Sequence, residues 1–262
     1  MTDMGQETSV KNFDLQEYIL HHMQNSKEWQ IPFLPPVSLP SFLTLHGLMI
    51  IFSTVFLIIL FCFIYKKNQR VPHGITNLLE FIILYIRDEM VIPFLGREDG
   101  RKFTPFFCTF FFLILCLNLM GLIPLFSTAT SNINVTGALA FIILSFMVFG
   151  SIYKNGVKKF FKSFVPSGVP VPVLIILVPI EFIGLFIKSM ALMIRLFANM
   201  LAGHIVILSL IGLVGVLGFV ALPSVLLAIF ILLLEVFIAF LQAYIFTLLS
   251  AIFIGQTYSP EH

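Results

Sequence analysis

The chain reads as an all-α polytopic membrane protein. It has about five membrane-crossing helices, one interfacial helix, and a C-terminal hairpin of two long, steeply inclined helices. Three observations carry this reading. The 262 residues are 59% hydrophobic and only 11% charged, against about 25% charged in a soluble domain, so no soluble fold of this length hides that much apolar surface. The apolar residues fall into tracts that reach or exceed the roughly 20 residues needed to cross a hydrocarbon layer about 30 Å thick. Basic clusters follow two of those tracts, and both assign the same side of the membrane to the cytoplasm.

The elements follow in order. Residues 1–41 form an external segment, polar at first and then proline-rich (Pro32, Pro35, Pro36, Pro40). It contains a short amphipathic piece near 12–24 and then an extended connector. No basic region leads into a short apolar core, so no cleavable signal peptide is expected, and the acidic residues Asp3, Glu7, Asp14 and Glu17 argue against a transit peptide. Residues 42–254 form one transmembrane domain. Its first span, 42–65, is followed by Lys66, Lys67 and Arg70, which makes that end cytoplasmic and the N-terminus external. Residues 74–95 alternate apolar and polar faces at helical spacing and carry Glu80, Arg87, Asp88 and Glu89, as an interfacial or protein-packed helix does. Arg97 to Lys102 is a charged connector. A Phe-rich span, 104–124, holds Asn118, an amide suited to joining helices. A polar loop from Ser127 to Asn134 faces outside. Residues 136–153 cross back and lead to Lys154, Lys158, Lys159 and Lys162, a second basic cytoplasmic loop. The tail, 255–262, is polar and cytoplasmic.

The hairpin, 171–254, carries the chemistry. Its first tract, 171 to about 217, would make a single helix about 70 Å long. Ordinary tilt does not fit that length into the membrane, so the helix lies steeply inclined against a large protein partner rather than breaking at Pro172 or Pro179. Within it, Glu181, Lys188 and Arg195 recur every seven residues on one slowly drifting stripe, which Asn199 extends. A guanidinium stays protonated at physiological pH. In mid-membrane it costs roughly 2.5–3.5 kcal/mol on insertion scales and about 10–17 kcal/mol in simulations of isolated helices. Such a residue faces protein or water and marks a path for ions. His204, nine residues on, points the opposite way round the helix.

In the second tract Glu235 and Gln242 share a face. Folding the tracts antiparallel about Gly215, Gly218 and Pro223 sets His204 level with Glu235 and Arg195 level with Gln242, since both pairs have their midpoints between 218 and 220. The two levels are about 10–13 Å apart. A histidine and a carboxylate at one depth make a protonatable pair suited to the inner end of a water-filled path. The arginine, at a separate level, attracts a passing carboxylate and repels protons, and the amide of Gln242 or Asn199 can orient it without neutralising it.

Two stretches resemble the signature of the a subunit of rotary F-type ATP synthases. They are Glu181-Phe-Ile-Gly-Leu-Phe-Ile-Lys188 with Ile194-Arg195-Leu196-Phe197-Ala198-Asn199-Met200-Leu201-Ala202-Gly203-His204, and Glu235 with Leu241-Gln242-Ala243-Tyr244. Asn118-Leu-Met-Gly-Leu-Ile-Pro124 extends the likeness. The resemblance implies a membrane stator, part of an enzyme complex without an ATP site of its own, that offers two offset half-channels to a rotating c-subunit ring. It assigns Arg195 to the ring carboxylates, His204, Glu235 and Gln242 to the outer half-channel, Asn199 to support of the arginine, and Glu181 and Lys188 to the cytoplasmic route. The implied partners are the c-ring, the b subunit of the peripheral stalk and, indirectly, the F1 sector, in a bacterial inner membrane or, alternatively, a mitochondrial one. The sequence departs from the family in having Ser189 where proline is frequent, Ala191 where serine is frequent, and Ala198 where glycine is frequent. His204 and Glu235 stand in the reverse of the arrangement frequent in bacteria.

Other classes fit less well. No duplicated half supports a secondary transporter. No phosphate-cradling loop or H-E-x-x-H metal motif is present, so no nucleotide, cofactor or metal is expected. A net charge of +2 gives no basic patch for nucleic acid. Cys62, Cys108 and Cys116 all lie in apolar tracts and read as small core residues.

Overall fold

In the computed structural model the described residues are 28–29, 37–38, 44–64, 74–123, 128–165, 170–217 and 222–258. The amphipathic piece expected near 12–24, the basic cluster 66–70 and the hairpin turn lie outside them. In the N-terminal segment a two-residue antiparallel ladder pairs β1 (Glu28–Trp29) with β2 (Val37–Ser38). Everything else described is helix or short connection. Among the described residues five helices are long and apolar enough to cross a membrane.

The first, α1 (Leu45–Ile59, continued by a wide turn at Leu60–Ile64), starts where the Thr44 hydroxyl accepts from the Gly47 N–H at 3.3 Å, satisfying one orphan donor of the first turn. Only His46, Met49 and Ser53 on it are buried. They sit at i, i+3 and i+7, one narrow stripe, and the rest of the helix shows apolar side chains outward, as lipid contact requires.

Next comes α2 (Ile75–Tyr85), which loosens into a wide turn at Ile86–Val91 and ends as a short helix, Ile92–Leu95. Leu79, Ile86, Met90, Val91 and Leu95 are buried, so this is the protein-packed alternative of the sequence reading. Gly96, at φ 79°, breaks the run in a conformation that side chains rarely take. The stretch read as a charged connector, 97–102, is then the start of α3 (Arg97–Gly121). The correction has a local cause. Glu98 and Asp99 lie in the first turn, where acidic groups face the positive end of the helix, and Lys102 pairs with Glu98 one turn on at 3.0 Å.

The core is built around α3. Two thirds of its membrane window is buried (67%), against 11% for each hairpin helix. Phe110 stacks on Phe246 with centroids 6.0 Å apart, and Phe106 lies 4.5 Å from Phe146, the offset and tilted geometries that aromatic rings prefer. The Phe-rich composition of this span is thus core packing.

After a single tight turn at Ala129–Ser131, Asn132 caps α4 (Ile133–Ser145), its side chain accepting from the Asn134 N–H at 2.9 Å. The helix runs on through a wide turn, Phe146–Gly150, to Ser151–Asn155. Gly156 then breaks it at φ 80°. The basic loop that follows is itself partly helical, α5 (Val157–Ser163). Phe160 and Phe164 are buried and anchor one side of α5, while Lys158, Lys159 and Lys162 stay exposed on the other.

The long tract is one uninterrupted helix of 47 residues, α6 (Val171–Leu217), with Pro179 inside it. The proline removes one backbone donor, but the helix continues past it. α7 (Leu222–Tyr258) runs four residues beyond the end expected at 254. Its final carbonyls explain why. Ser151 Oγ donates to the Thr257 carbonyl at 2.6 Å and Asn155 Nδ2 to the Tyr258 carbonyl at 3.1 Å, so side chains of α4 cap groups that would otherwise be orphaned. Lys154 adds an ion pair to Asp99 and sits 5.3 Å above the Tyr258 ring.

α6 packs on α4 and α7, and α7 on α3. Ser189, which stands where the resembling family often has proline, is buried and donates to the Ala140 carbonyl of α4 at 2.7 Å. Ser189→Ala is expected to cost about 0.6–1.7 kcal/mol, the span seen for interhelical polar contacts in membranes, measured as a lowered unfolding midpoint in mild detergent. An unchanged midpoint would remove the contact from the account.

Candidate functional site

Burial along α6 follows two opposed stripes. Leu185, Ser189, Leu192, Leu196 and Met200 are buried, whereas Ile180, Ile183, Ile187, Met190 and Ile194 are each at least 50% exposed. Both sets step by three and four residues, so one face is packed and the other is uncovered. Arg195 lies at their boundary, half-buried, between Ile194 (50% exposed) and Leu196 (0%). Ala198 and Ala202 beside it are exposed. Among the described residues no carboxylate pairs with Arg195. Arg195 thus stands at the edge of the uncovered face with no anionic partner among the described residues.

One turn further on, Asn199 Nδ2 donates to Gln242 Oε1 at 2.9 Å. The antiparallel register thus sets Gln242 at the level of Asn199, one helical turn from Arg195. The two amides bond to each other and tie the helices together. Neither takes a hydrogen bond from Arg195 among the described residues, so the expected orienting role of the amides is not seen in this geometry.

Glu235 is buried (8% exposed). Its carboxylate rests against Gly203: a Cβ at that position would stand 1.7 Å from Oε1. Glycine is required here for the approach of a side chain from the facing helix, not for backbone freedom. Gly203 precedes His204, so carboxylate and imidazole share a level to within one residue.

His204 is half-buried, and its Nδ1 lies 3.3 Å from Thr128 Oγ1. That hydroxyl is also 3.2 Å from the Gly121 carbonyl at the end of α3. On the same turn Thr130 Oγ1 donates to Asn118 Oδ1 at 2.9 Å. Asn118 joins elements, as expected, but its partner is this turn. Neither Thr128 nor Thr130 was singled out from sequence. Threonines in a polar loop are unremarkable, and nothing in the spacing says that this loop tucks against the hairpin.

Among the described residues the buried side-chain atoms without a hydrogen-bond partner are Asn118 Nδ2, Glu235 Oε2 and Gln242 Nε2. An unpaired buried polar atom costs about 1–3 kcal/mol, and folded proteins keep few of them unless they serve a purpose. All three belong to this polar band.

Lys188 and Glu181 lie towards the start of α6. Lys188 Nζ donates to Gln256 Oε1 on α7 at 3.0 Å and lies 5.6 Å from the Phe253 ring. Glu181 is exposed and forms no ion pair, with Lys188 or any other group, among the described residues.

The ATP synthase A chain family profile matches residues 47–255, a range that includes Glu181, Lys188, Arg195, Asn199, His204, Glu235 and Gln242. The chain is 43% identical over 217 residues to an ATP synthase subunit a from Anaeromyxobacter dehalogenans (strain 2CP-C), covering 81% of this chain and 57% of the relative. It is 41% identical over 199 residues to that of Myxococcus xanthus (75% and 65%) and 42% identical over 259 residues to that of Chloroherpeton thalassium (92% and 77%). The chain thus spans between half and two thirds of the length of the myxobacterial relatives and about three quarters of the last. A profile match across most of the sequence, together with these identities, means that the chain belongs to the ATP synthase A chain family.

Proposed function

We propose that this protein is the proton-translocating stator subunit of an F-type ATP synthase in a bacterial inner membrane, its N-terminus outside and its C-terminus in the cytoplasm. One observation carries the reading: a half-buried guanidinium with no acidic partner among the described residues sits at the edge of an uncovered apolar face. A charge so placed needs an anionic partner, and a carboxylate of a neighbouring ring subunit fits that need. α7 offers a matching stripe, with Leu226, Phe230, Leu233 and Phe237 each at least 65% exposed. Two long helices with uncovered faces suit a curved surface of c subunits, and the exposed Ala198 and Ala202 let another backbone come close. The b subunit of a peripheral stalk would hold the stator against rotation.

In this reading Asn118, His204 and Glu235 line the outer path, where protonatable and hydrogen-bonding groups pass a proton inward. Asn199 and Gln242 fix the spacing of the two helices beside Arg195. The carboxylate of the ring gives up its proton before it passes the guanidinium, because the fixed positive charge favours the ionised form. Glu181 and Lys188 lie on the cytoplasmic route.

Glu235→Gln tests the path. It keeps the size of the side chain and removes its protonatable group. ATP-driven acidification of inverted vesicles is expected to fall at least about a hundredfold, the low side of what a positioned proton-transfer group contributes, while the variant still copurifies with small two-helix ring subunits. Wild-type acidification would contradict the assignment.

A further inference from the structure

We infer that Thr128 is a positioning residue that holds the His204 imidazole with its proton on Nδ1, leaving Nε2 as the atom that takes up and gives back the transported proton; this rests on the reading of His204 as part of the outer path. A hydroxyl has one proton and two lone pairs. The Gly121 carbonyl, 3.2 Å from Thr128 Oγ1, is an acceptor only, so both contacts of the hydroxyl are hydrogen bonds only if its proton goes there. What the hydroxyl then turns to His204 Nδ1, at 3.3 Å, is a lone pair, and that contact is a hydrogen bond only if Nδ1 carries hydrogen. Which ring nitrogen is protonated is set by the bond the other one makes.

The threonine is well placed to impose this. It is 2% exposed. Its methyl seats on Gly121, where an added Cβ would meet Thr128 Cγ2 at 2.7 Å. Its carbonyl accepts from Ser131 Oγ at 2.7 Å, which closes the turn beneath it, and the neighbouring Thr130–Asn118 bond pins the same turn to α3. The Gly121 carbonyl belongs to the last turn of α3, where helix carbonyls lack intrahelical donors, so it is a ready acceptor. The resulting relay runs from imidazole Nδ1–H to hydroxyl to carbonyl. It also survives protonation of the ring: the imidazolium keeps its Nδ1–H, and Nε2 alone gains or loses a proton. Uptake and release then need no rearrangement of the turn.

The test is nitrogen-15 NMR of the full complex in lipid, with labelled histidine and a His204→Gln variant to assign the signal. At a pH where His204 is neutral, the wild-type protein is expected to show a protonated Nδ1 and a bare Nε2. Thr128→Val, which keeps the shape and removes the hydroxyl, is expected to mix the two tautomers and to lower ATP-driven acidification about fivefold, the loss matching one neutral hydrogen bond. Thr128→Ser is expected to restore both. A wild-type His204 protonated on Nε2 would overturn the inference, as would a valine variant with the wild-type tautomer and rate. The wild-type spectrum decides even if the valine variant fails to assemble. His204→Gln with normal acidification would instead overturn the path reading itself, whatever the tautomer.

Discussion

Arg195→Ala is expected to abolish ATP-driven acidification of inverted vesicles while the complex still assembles. The size of the effect follows from the geometry. Arg195 is half-buried at the boundary of the packed and uncovered faces, with no carboxylate of its own chain among the described residues to share its charge. At about 4 Å, with an effective dielectric near 20, it favours an ionised carboxylate by about 4 kcal/mol, worth roughly a thousandfold. Without it, a ring carboxylate has no fixed charge to keep it ionised as it passes, and a proton can slip directly between the two paths. Coupled acidification is then lost, and passive leak through membranes stripped of the soluble sector is expected to rise or persist. Arg195→Lys keeps a charge but not the planar fork, and is expected to recover little of the coupling. Assembly should survive, because Leu192, Leu196 and Met200 on the other side of α6 hold the packing. Normal acidification by the alanine variant would contradict the role given to the arginine.

The second large effect is expected at Gly203. One methyl group there would lie 1.7 Å from Glu235 Oε1 and 2.7 Å from its Cδ, well inside any real contact. The displaced atoms end a flexible side chain, so Gly203→Ala need not unfold the hairpin. It must push the carboxylate out of its seat against Gly203. Misplacing a catalytic group by about 1 Å can cost about a hundredfold, and ATP-driven acidification is expected to fall by between tenfold and that figure. Stability is expected to change little, since alanine is the better helix former. The double variant Gly203→Ala with Glu235→Asp supplies the check. The shorter acid withdraws its carboxylate by one carbon, so activity is expected to exceed that of Gly203→Ala alone. Additive losses in the double variant would mean that the two residues do not meet as described.

How far the sequence reached depended on the kind of signal. The long helices were legible because an apolar run of such length leaves few other choices, and α6 and α7 appear where the tracts lie. The boundaries were less so. Arg97 to Lys102 looks like a loop by charge, yet Gly96 and the acidic first turn make it helix. Gln256 and Thr257 look like tail by polarity, yet α4 supplies the caps that keep them helical. Neither cause is local enough to be read from composition. In the site, symmetry about the turn set Glu235 level with His204, within one residue of the Gly203 it rests against, but it set Gln242 level with Arg195, whereas the partner of Gln242 is Asn199, one turn on. It could not say that the amides would bond to each other rather than to Arg195. The contact of Thr128 with His204 spans 76 positions and involves a loop threonine, so no periodicity announces it.

The central claim, that the uncovered face beside Arg195 meets a ring of partner subunits, is tested most directly by disulfide cross-linking in the assembled complex. In a chain with Cys62, Cys108 and Cys116 replaced, single cysteines are placed at Ala198 and Ala202, which are exposed, and at Leu196, which is 0% exposed. A cysteine on the ring subunit near its carboxylate is the partner. The account predicts oxidative cross-links from positions 198 and 202 and none from 196. Failure of both alanine positions to cross-link, or equal yield from the buried leucine position, would contradict it.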